Sequence, residues 1–375
     1  MPELVALDLP GGPGFVEALE AAWEAGDAVL PIDPRLPLPA VNRLLDEVRP
    51  TFVVDTGGRH RRPDGHPTEP GDALVVATSG TTGRAKGVVL DHAAVAASAR
   101  ATSARLGVDP ATDRWVACLP LAHIGGLSVV TRSLVTGTPC TVLPEFDAAA
   151  VGQLAAQGAT LISLVATTLR RTDAAGYRTV LLGGAAPPEA LPDNVVTTYG
   201  MTETGSGVVY DGVALDGVEL RLGDGATGQD GEILVRGPMV LRCYRDGTDP
   251  RLPGGWLPTG DSGRIEPDGS LVVFGRIAEV IVSGGEKIWP APVERVLAGH
   301  PAVDQVAVWK RTDPEWGERV VAWVVPADRD RPPRLEELRE LVAAELSAWD
   351  APRQLVVVDG LPRTASGKVR RNELA

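Results

Sequence analysis

The chain has 375 residues, enough for a large apolar core and a smaller companion domain. Its 36 basic and 49 acidic residues leave a formal charge of -13, so no basic stripe is available to track a nucleic-acid backbone. The cysteines Cys118, Cys140 and Cys243 are scattered without metal-site spacing and read as small hydrophobes of a reducing compartment.

The amino terminus lacks a positive n-region and an apolar h-region, and no apolar run reaches spanning length, which predicts a cytoplasmic protein without membrane insertion. Helix Phe15 to Ala25 comes first, and the apolar runs Ala28 to Ile32, Thr51 to Val54 and Ala73 to Ala77 read as buried strands. Helix His92 to Leu106 follows, then strands Trp115 to Leu119, Cys140 to Leu143, Thr160 to Val165, Thr179 to Leu182 and Val195 to Thr198. Short buried strands separated by helix-like stretches predict an α/β core.

Past about residue 212 the spacing tightens into strands Val218 to Leu222, Glu232 to Val235 and Ser270 to Phe274, an antiparallel subregion closing the large domain. From Gly275 an α+β pattern begins: helix Val293 to Leu297, strands Val303 to Trp309 and Val320 to Val325, helix Leu335 to Leu346 and strand Gln354 to Val358. The expected division is a large multi-sheet domain over 1–275 and a small, separately moving domain over 276–375.

The segment Thr78-Ser79-Gly80-Thr81-Thr82-Gly83-Arg84-Ala85-Lys86-Gly87 follows a predicted strand and is read as leading into a helix. Its glycines let backbone amides turn toward an anion, its hydroxyls add donors and Lys86 adds charge. That suits the β- and γ-phosphates of ATP, although the pattern is neither GxxxxGK[ST] nor GxGxxG.

The segment resembles the phosphate-binding signature of the adenylate-forming superfamily, which includes acyl-CoA synthetases, peptide adenylation domains and luciferases. Four further segments stand in that family's order: Tyr199-Gly200-Met201-Thr202-Glu203, Thr259-Gly260-Asp261, Gly275-Arg276 with Ser283-Gly284-Gly285-Glu286-Lys287-Ile288, and Pro362-Arg363-Thr364-Ala365-Ser366-Gly367-Lys368. The resemblance implies a large multi-sheet α/β domain with a small mobile α+β domain. It also implies ATP, Mg2+ and coenzyme A as cofactors.

By resemblance, Thr202 contacts phosphate and Glu203 binds magnesium, which favours oxygen ligands; a Thr-Glu pair standing alone would more often be a helix start. Asp261 is implied for the ribose hydroxyls, a carboxylate being able to accept two hydrogen bonds, with a turn-forming role as its alternative. Arg276 is implied for the ribose and phosphate, with an interdomain ion pair as its alternative. The adenine is expected near Gly184 and Ala185 and beside Tyr199. Lys368, in a full PRTASGK match, is implied to bridge the substrate carboxylate and the α-phosphate.

The small domain is expected to turn about Arg276 to Glu279, exchanging Lys368 for the Ser283 to Ile288 loop between half-reactions. The usual charged hinge position falls on Ala278. His123 either faces the acid or thiol tunnel or packs at a helix start. Gly126, Ser163, Thr167, Ser283, Gly284 and Gly285 complete the implied acid and coenzyme A pocket.

The match already begins at an early core segment, Gly26 to Pro34, which implies a shortened amino-terminal region. The compact length, His123-Ile124-Gly125-Gly126-Leu127 followed by Arg132-Ser133-Leu134, and Ile162 to Leu169 are similar to short actinobacterial o-succinylbenzoate-CoA ligases of menaquinone biosynthesis, with Ala166 replacing a common proline. The implied small-molecule partner is o-succinylbenzoate. Another aryl- or alkyl-carboxylate CoA ligase and a noncatalytic nucleotide-binding protein are the alternatives. An acid panel separates the first, and acid-dependent pyrophosphate release separates the second.

Overall fold

The computed structural model describes residues 1–79, 85–188, 190–223, 230–363 and 369–374, the side chain of Ser79 excepted. Two compact units divide the chain, Met1–Leu220 with Leu234–Leu257 and Arg221–Ile233 with Pro258–Ala375.

In the first unit, a seven-stranded sheet runs in the spatial order Cys243–Tyr244, Ala85–Asp91, Asp72–Ser79, Ala28–Pro31, Leu4–Leu7, Phe52–Asp55 and Gly58–Arg61. Leu4–Leu7 and Ala28–Pro31 pair in parallel and are buried at every position. Parallel strands covered on both faces read as continuous apolar runs. The edge strand Gly58–Arg61 is exposed throughout, and its charges discourage pairing with another sheet.

A second seven-stranded sheet has the order Val213–Ala214, Ser206–Tyr210, Val195–Met201, Thr179–Gly183, Leu161–Val165, Trp115–Ala117 and Cys140–Val142. Helices His92–Leu106 and Ile124–Thr136 pack on each other, and the first of them touches strands of both sheets. Its ends are set locally: the Asp91 side chain accepts from Ala94 N, and Gly107 takes the left-handed closing conformation. Two buried hydroxyl pairs, Ser98 with Ser206 at 2.9 Å and Thr102 with Tyr210 at 3.0 Å, tie that helix to the second sheet.

One strand between the loop and that helix was not foreseen. The glycine- and hydroxyl-rich segment leads into strand Ala85–Asp91, antiparallel to Asp72–Ser79, and the helix starts only at His92. The reason lies in Val88, Val89 and Leu90, all buried, an apolar run whose two β-branched valines match a pleated sheet better than the first turn of a helix.

In the second unit, Leu257–Ile265 pairs antiparallel with Leu271–Arg276, belonging to that unit from Pro258 onward. A sheet follows in the order Glu286–Ile288, Ile281–Ser283, Gly317–Pro326 and Val303–Asp313, with Gln354–Val357 parallel to Gly317–Pro326. Val293, Val296 and Leu297 of helix Pro290–Ala298 and Leu338 and Val342 of helix Leu335–Glu345 pack in one core cluster with Val308, Val320 and Val324. Leu361 and Leu374 pack with Trp323 and Val321 in another.

Candidate active site

Strand pairing brings together the residues expected at the phosphates in the first unit. Lys86 is exposed on Ala85–Asp91, where Thr78 stands opposite it and donates its hydroxyl to Lys86 O at 3.4 Å. Cys243 and Tyr244 pair with Val89 and Val88 of the same strand. Thr202 and Glu203 open a short 3-10 turn, Thr202–Thr204, at the end of strand Val195–Met201, the kind of strand end where α/β folds place ligands. Leu241 N donates to Glu203 O at 2.7 Å, tying that turn to the Tyr244 segment. Tyr244 Oη then donates to Glu203 Oε1 at 3.1 Å, while Lys86 Nζ stands 4.9 Å from the centroid of the Tyr244 ring. Lys86 and Glu203 thus meet on one tyrosine that sequence reading did not single out. Gly80, Thr81, Thr82, Gly83 and the Ser79 side chain lie outside the described residues.

The adenine candidates come from neighbouring parallel strands. Val180, Leu181 and Leu182 stand opposite Val195, Val196 and Thr197, so Gly184-Ala185 and Tyr199 emerge from the same end of the sheet. Gly184 has φ +85, which a side chain rarely tolerates, and it and Ala185 are exposed. Tyr199 is half-buried.

On the acid side, His123 precedes helix Ile124–Thr136 but makes no side-chain capping bond. Its Nε2 lies 3.8 Å from Asp33 Oδ2, a buried carboxylate that also receives Arg35 Nε at 2.8 Å and Nη2 at 2.7 Å. Burial raises the Asp33 carboxyl, but its bonds with Arg35 and the charge of His123 outweigh that and hold it below the ordinary carboxylate range. Gly126 sits where an added Cβ would lie 2.4 Å from Leu119 O, which assigns it close packing. Ser163 is buried and Thr167 exposed.

Arg132, part of the resembling Arg132-Ser133-Leu134 segment but given no role from sequence, has an unusual setting. It is 3% exposed, its Nη2 donates to Ser128 Oγ at 3.2 Å, and its Nε and Nη1 have no hydrogen-bond partner among the described residues. Burial pulls its guanidinium below the ordinary value. A buried cation without a carboxylate is costly, and such a group is a candidate anchor for an anionic ligand.

In the second unit, Asp261 and Arg276 face each other across the antiparallel pair, with Arg276 Nε 3.0 Å from Asp261 Oδ1 and Arg276 Nη1 donating to Thr259 O at 2.9 Å. Ile281–Ser283 and Glu286–Ile288 form a hairpin closed by Gly284 and Gly285, whose φ values of +62 and +91 suit a primed two-residue turn. The Ser283 hydroxyl is buried without a partner among the described residues. Lys368 lies outside them.

Among the described residues no group of three or more His, Cys, Asp or Glu could hold a metal. A lone Glu203 carboxylate beside Thr202 fits magnesium, which takes one or two carboxylates and completes its shell with phosphate oxygens and water.

An ammonium and a carboxylate brought together in the first unit, and separately an aspartate–arginine pair across two strands of the second, are groups a nucleotide-using enzyme employs. The AMP-binding enzyme family matches residues 55–245 and the AMP-binding enzyme C-terminal domain matches 292–368, and the chain belongs to that family. A probable 2-succinylbenzoate–CoA ligase of Mycobacterium tuberculosis is 42% identical over 328 residues, 80% of this chain and 83% of that protein. The 2-succinylbenzoate–CoA ligase of Bacillus cereus is 36% identical over 335 residues, 80% of this chain and 69% of that protein. The o-succinylbenzoate CoA synthetase of Bacillus subtilis in complex with its acyl-adenylate intermediate has a TM-score of 0.86 at 29% identity, covering 99% of this chain and 88% of that one. The same enzyme with ATP and magnesium ion also has a TM-score of 0.86 at 29% identity, covering 99% and 89%.

Proposed function

We propose that this chain is an ATP-dependent 2-succinylbenzoate–CoA ligase. The observation that carries the reading is the convergence of Lys86 and Glu203 on Tyr244, in a chain whose relatives bear that activity in their names. The location proposed is the cytoplasm, where ATP and coenzyme A are found; among the described residues no helix is long and apolar enough to cross a membrane.

A carboxylate is a poor acyl donor because oxide leaves badly. In the first half-reaction one carboxylate oxygen of the acid attacks the α-phosphorus of ATP, and the bond to the bridging oxygen breaks. The products are an acyl-adenylate and pyrophosphate. Charge that builds on the transferring phosphoryl group calls for cations and donors fixed beforehand. Lys86 supplies one at the β- and γ-phosphates, Thr202 donates its hydroxyl, and Lys368 bridges the acid and the α-phosphate. Bound at Glu203, magnesium neutralises phosphate charge. Asp261 accepts from the ribose hydroxyls while Arg276 holds it.

In the second half-reaction the thiol of coenzyme A attacks the acyl carbon and AMP leaves. The segment 276–375 turns about Arg276 to Glu279, and the hairpin carrying Ser283, Gly284 and Gly285 takes the place of Lys368. The acid has a second carboxylate that does not react and needs a cation inside an otherwise apolar wall. Arg132, buried and short of acceptors, fills that role, and His123 stands at the start of the same helix.

Pyrophosphate exchange and acyl-CoA formation by purified protein over a panel of acids test the reading. Turnover is expected with 2-succinylbenzoate, and Lys368→Ala should lose at least about a hundredfold in exchange while remaining folded. Arg132→Gln should lower kcat/KM for the dicarboxylate about tenfold or more and leave a monocarboxylate analogue little changed. Robust turnover of another acid with none of 2-succinylbenzoate overturns the substrate, and undiminished exchange by Lys368→Ala overturns the lysine's role.

A further inference from the structure

We propose that Tyr244 is a positioning residue of the nucleotide site, one that keeps Lys86 and Glu203 apart and oriented for a triphosphate and its divalent cation. The proposal rests on the ATP-dependent reading above. An ammonium and a carboxylate that approach one residue are drawn toward each other, and a direct pair would have to break before a polyphosphate could enter. Tyr244 gives each a different partner. Its hydroxyl donates to Glu203 Oε1 at 3.1 Å, and its ring face receives Lys86 Nζ at 4.9 Å.

A residue can set spacing only if it is itself held. Tyr244 pairs with Val88 in the strand that carries Lys86, and its N donates to Thr248 O at 2.8 Å. The next residue, Arg245, donates from its backbone to Gly87 O at 2.7 Å and from its guanidinium to Val48 O at 3.1 Å and Pro67 O at 3.0 Å. Two residues earlier, Arg242 clasps the buried Asp72 carboxylate at 2.8 and 3.0 Å. The Leu241 N bond to Glu203 O, at 2.7 Å, closes the loop by fixing the turn that presents the carboxylate. The short strand therefore staples the lysine strand to the glutamate turn, and the tyrosine side chain stands between their functional groups. A hydroxyl on a metal-binding carboxylate orients it, and removing such a partner typically costs about 10–100-fold in metal affinity.

The test is calorimetric binding of a nonhydrolysable ATP analogue, with and without a magnesium titration, to wild-type protein and to Tyr244→Phe, Tyr244→Leu, Glu203→Gln and Lys86→Ala. Tyr244→Phe removes one oxygen and keeps the ring, and thermal unfolding checks that each variant is folded. The expected result is a rise of about tenfold in the magnesium concentration for half-maximal binding in Tyr244→Phe, with magnesium-free affinity unchanged. Tyr244→Leu should weaken magnesium-free binding as well, as Lys86→Ala does, because the ammonium loses its platform. If Tyr244→Phe matches wild type while Glu203→Gln raises the magnesium requirement, the inference fails and the nucleotide site stands. If wild-type binding ignores magnesium and neither Glu203→Gln nor Lys86→Ala changes it, the site reading fails and the inference falls with it.

Discussion

Two adjacent glycines in the helix that follows His123 should respond to alanine in opposite directions. At Gly126 an added Cβ would stand 2.4 Å from Leu119 O, 2.6 Å from Pro120 O and 2.8 Å from Leu119 C. These are backbone atoms, so relief requires the helix start or the 119–120 segment to move by roughly 1 Å to reach ordinary van der Waals separation. Overpacking of that kind costs about 1–3 kcal/mol. Neither glycine has a positive φ, so alanine also recovers unfolded-state entropy worth about 0.4–1 kcal/mol. The clash wins at Gly126, leaving a net loss of about 1–2 kcal/mol. At Gly125 the nearest atom is Leu119 Cδ1 at 3.7 Å, an ordinary contact, so only the gain remains. Thermal unfolding should place Gly125→Ala above wild type and Gly126→Ala below it. Gly126 N donates to His123 O at 3.0 Å, so the displaced helix start should also disturb the acid side and lower kcat/KM for the acid. A Gly126→Ala protein as stable as Gly125→Ala, with unchanged acid kinetics, would refute the close approach on which the reasoning rests.

Asp113 receives Thr160 Oγ1 at 2.7 Å, Arg178 Nε at 3.1 Å, Arg178 Nη2 at 2.7 Å and Asp109 N at 3.0 Å. Asp113→Asn should cost about 1–3 kcal/mol at neutral pH. Burial raises that carboxyl but the Asp109 N–H, Arg178 and Thr160 together hold it low, so its contribution is complete above the ordinary Asp value and lost as pH falls through the lowered one. The gap between wild type and Asp113→Asn should therefore close in acid, which urea unfolding across pH measures. Cys118 is buried and its thiol is pushed up to about 12, so alkylation of native protein at pH 8 should leave it unmodified, whereas denaturant should expose it.

How far the fold could be read from sequence depended on whether the deciding contacts were local. Helix His92–Leu106 was predicted at its observed bounds, and the structure shows that its ends are set locally, by Asp91 and Gly107. The strands Thr179–Gly183 and Leu161–Val165 announced themselves as buried apolar runs. Ala85–Asp91 did not, since a glycine-rich loop ahead of it suggested a helix and its three-residue apolar core gives no period to weigh. The edge strand Gly58–Arg61, GRHR, has no apolar face at all and exists because Phe52–Asp55 pairs with it.

The active-site candidates divide along a different line. Lys86, Glu203, Asp261 and Arg276 sit in contiguous motifs, so the family resemblance could propose them before any contact was known, and the cross-strand pairing of Asp261 with Arg276 then supplied geometry that spacing could not. Tyr244 carried no comparable signal. It lies 41 residues from Glu203 and reaches the lysine strand through a two-residue strand too short to have a pattern. Arg132 left a trace, a lone charge among Gly126 to Arg132, all of them buried in the structure. Burial of a long cation is exceptional unless something pairs with it, and here two of its nitrogens point to a partner that the described residues do not provide. A helix that merely packed would have gained by placing leucine there. The Arg132 guanidinium carbon also lies 5.3 Å from the centroid of the Trp115 ring, and the dicarboxylate proposed above would give those two nitrogens an anionic partner.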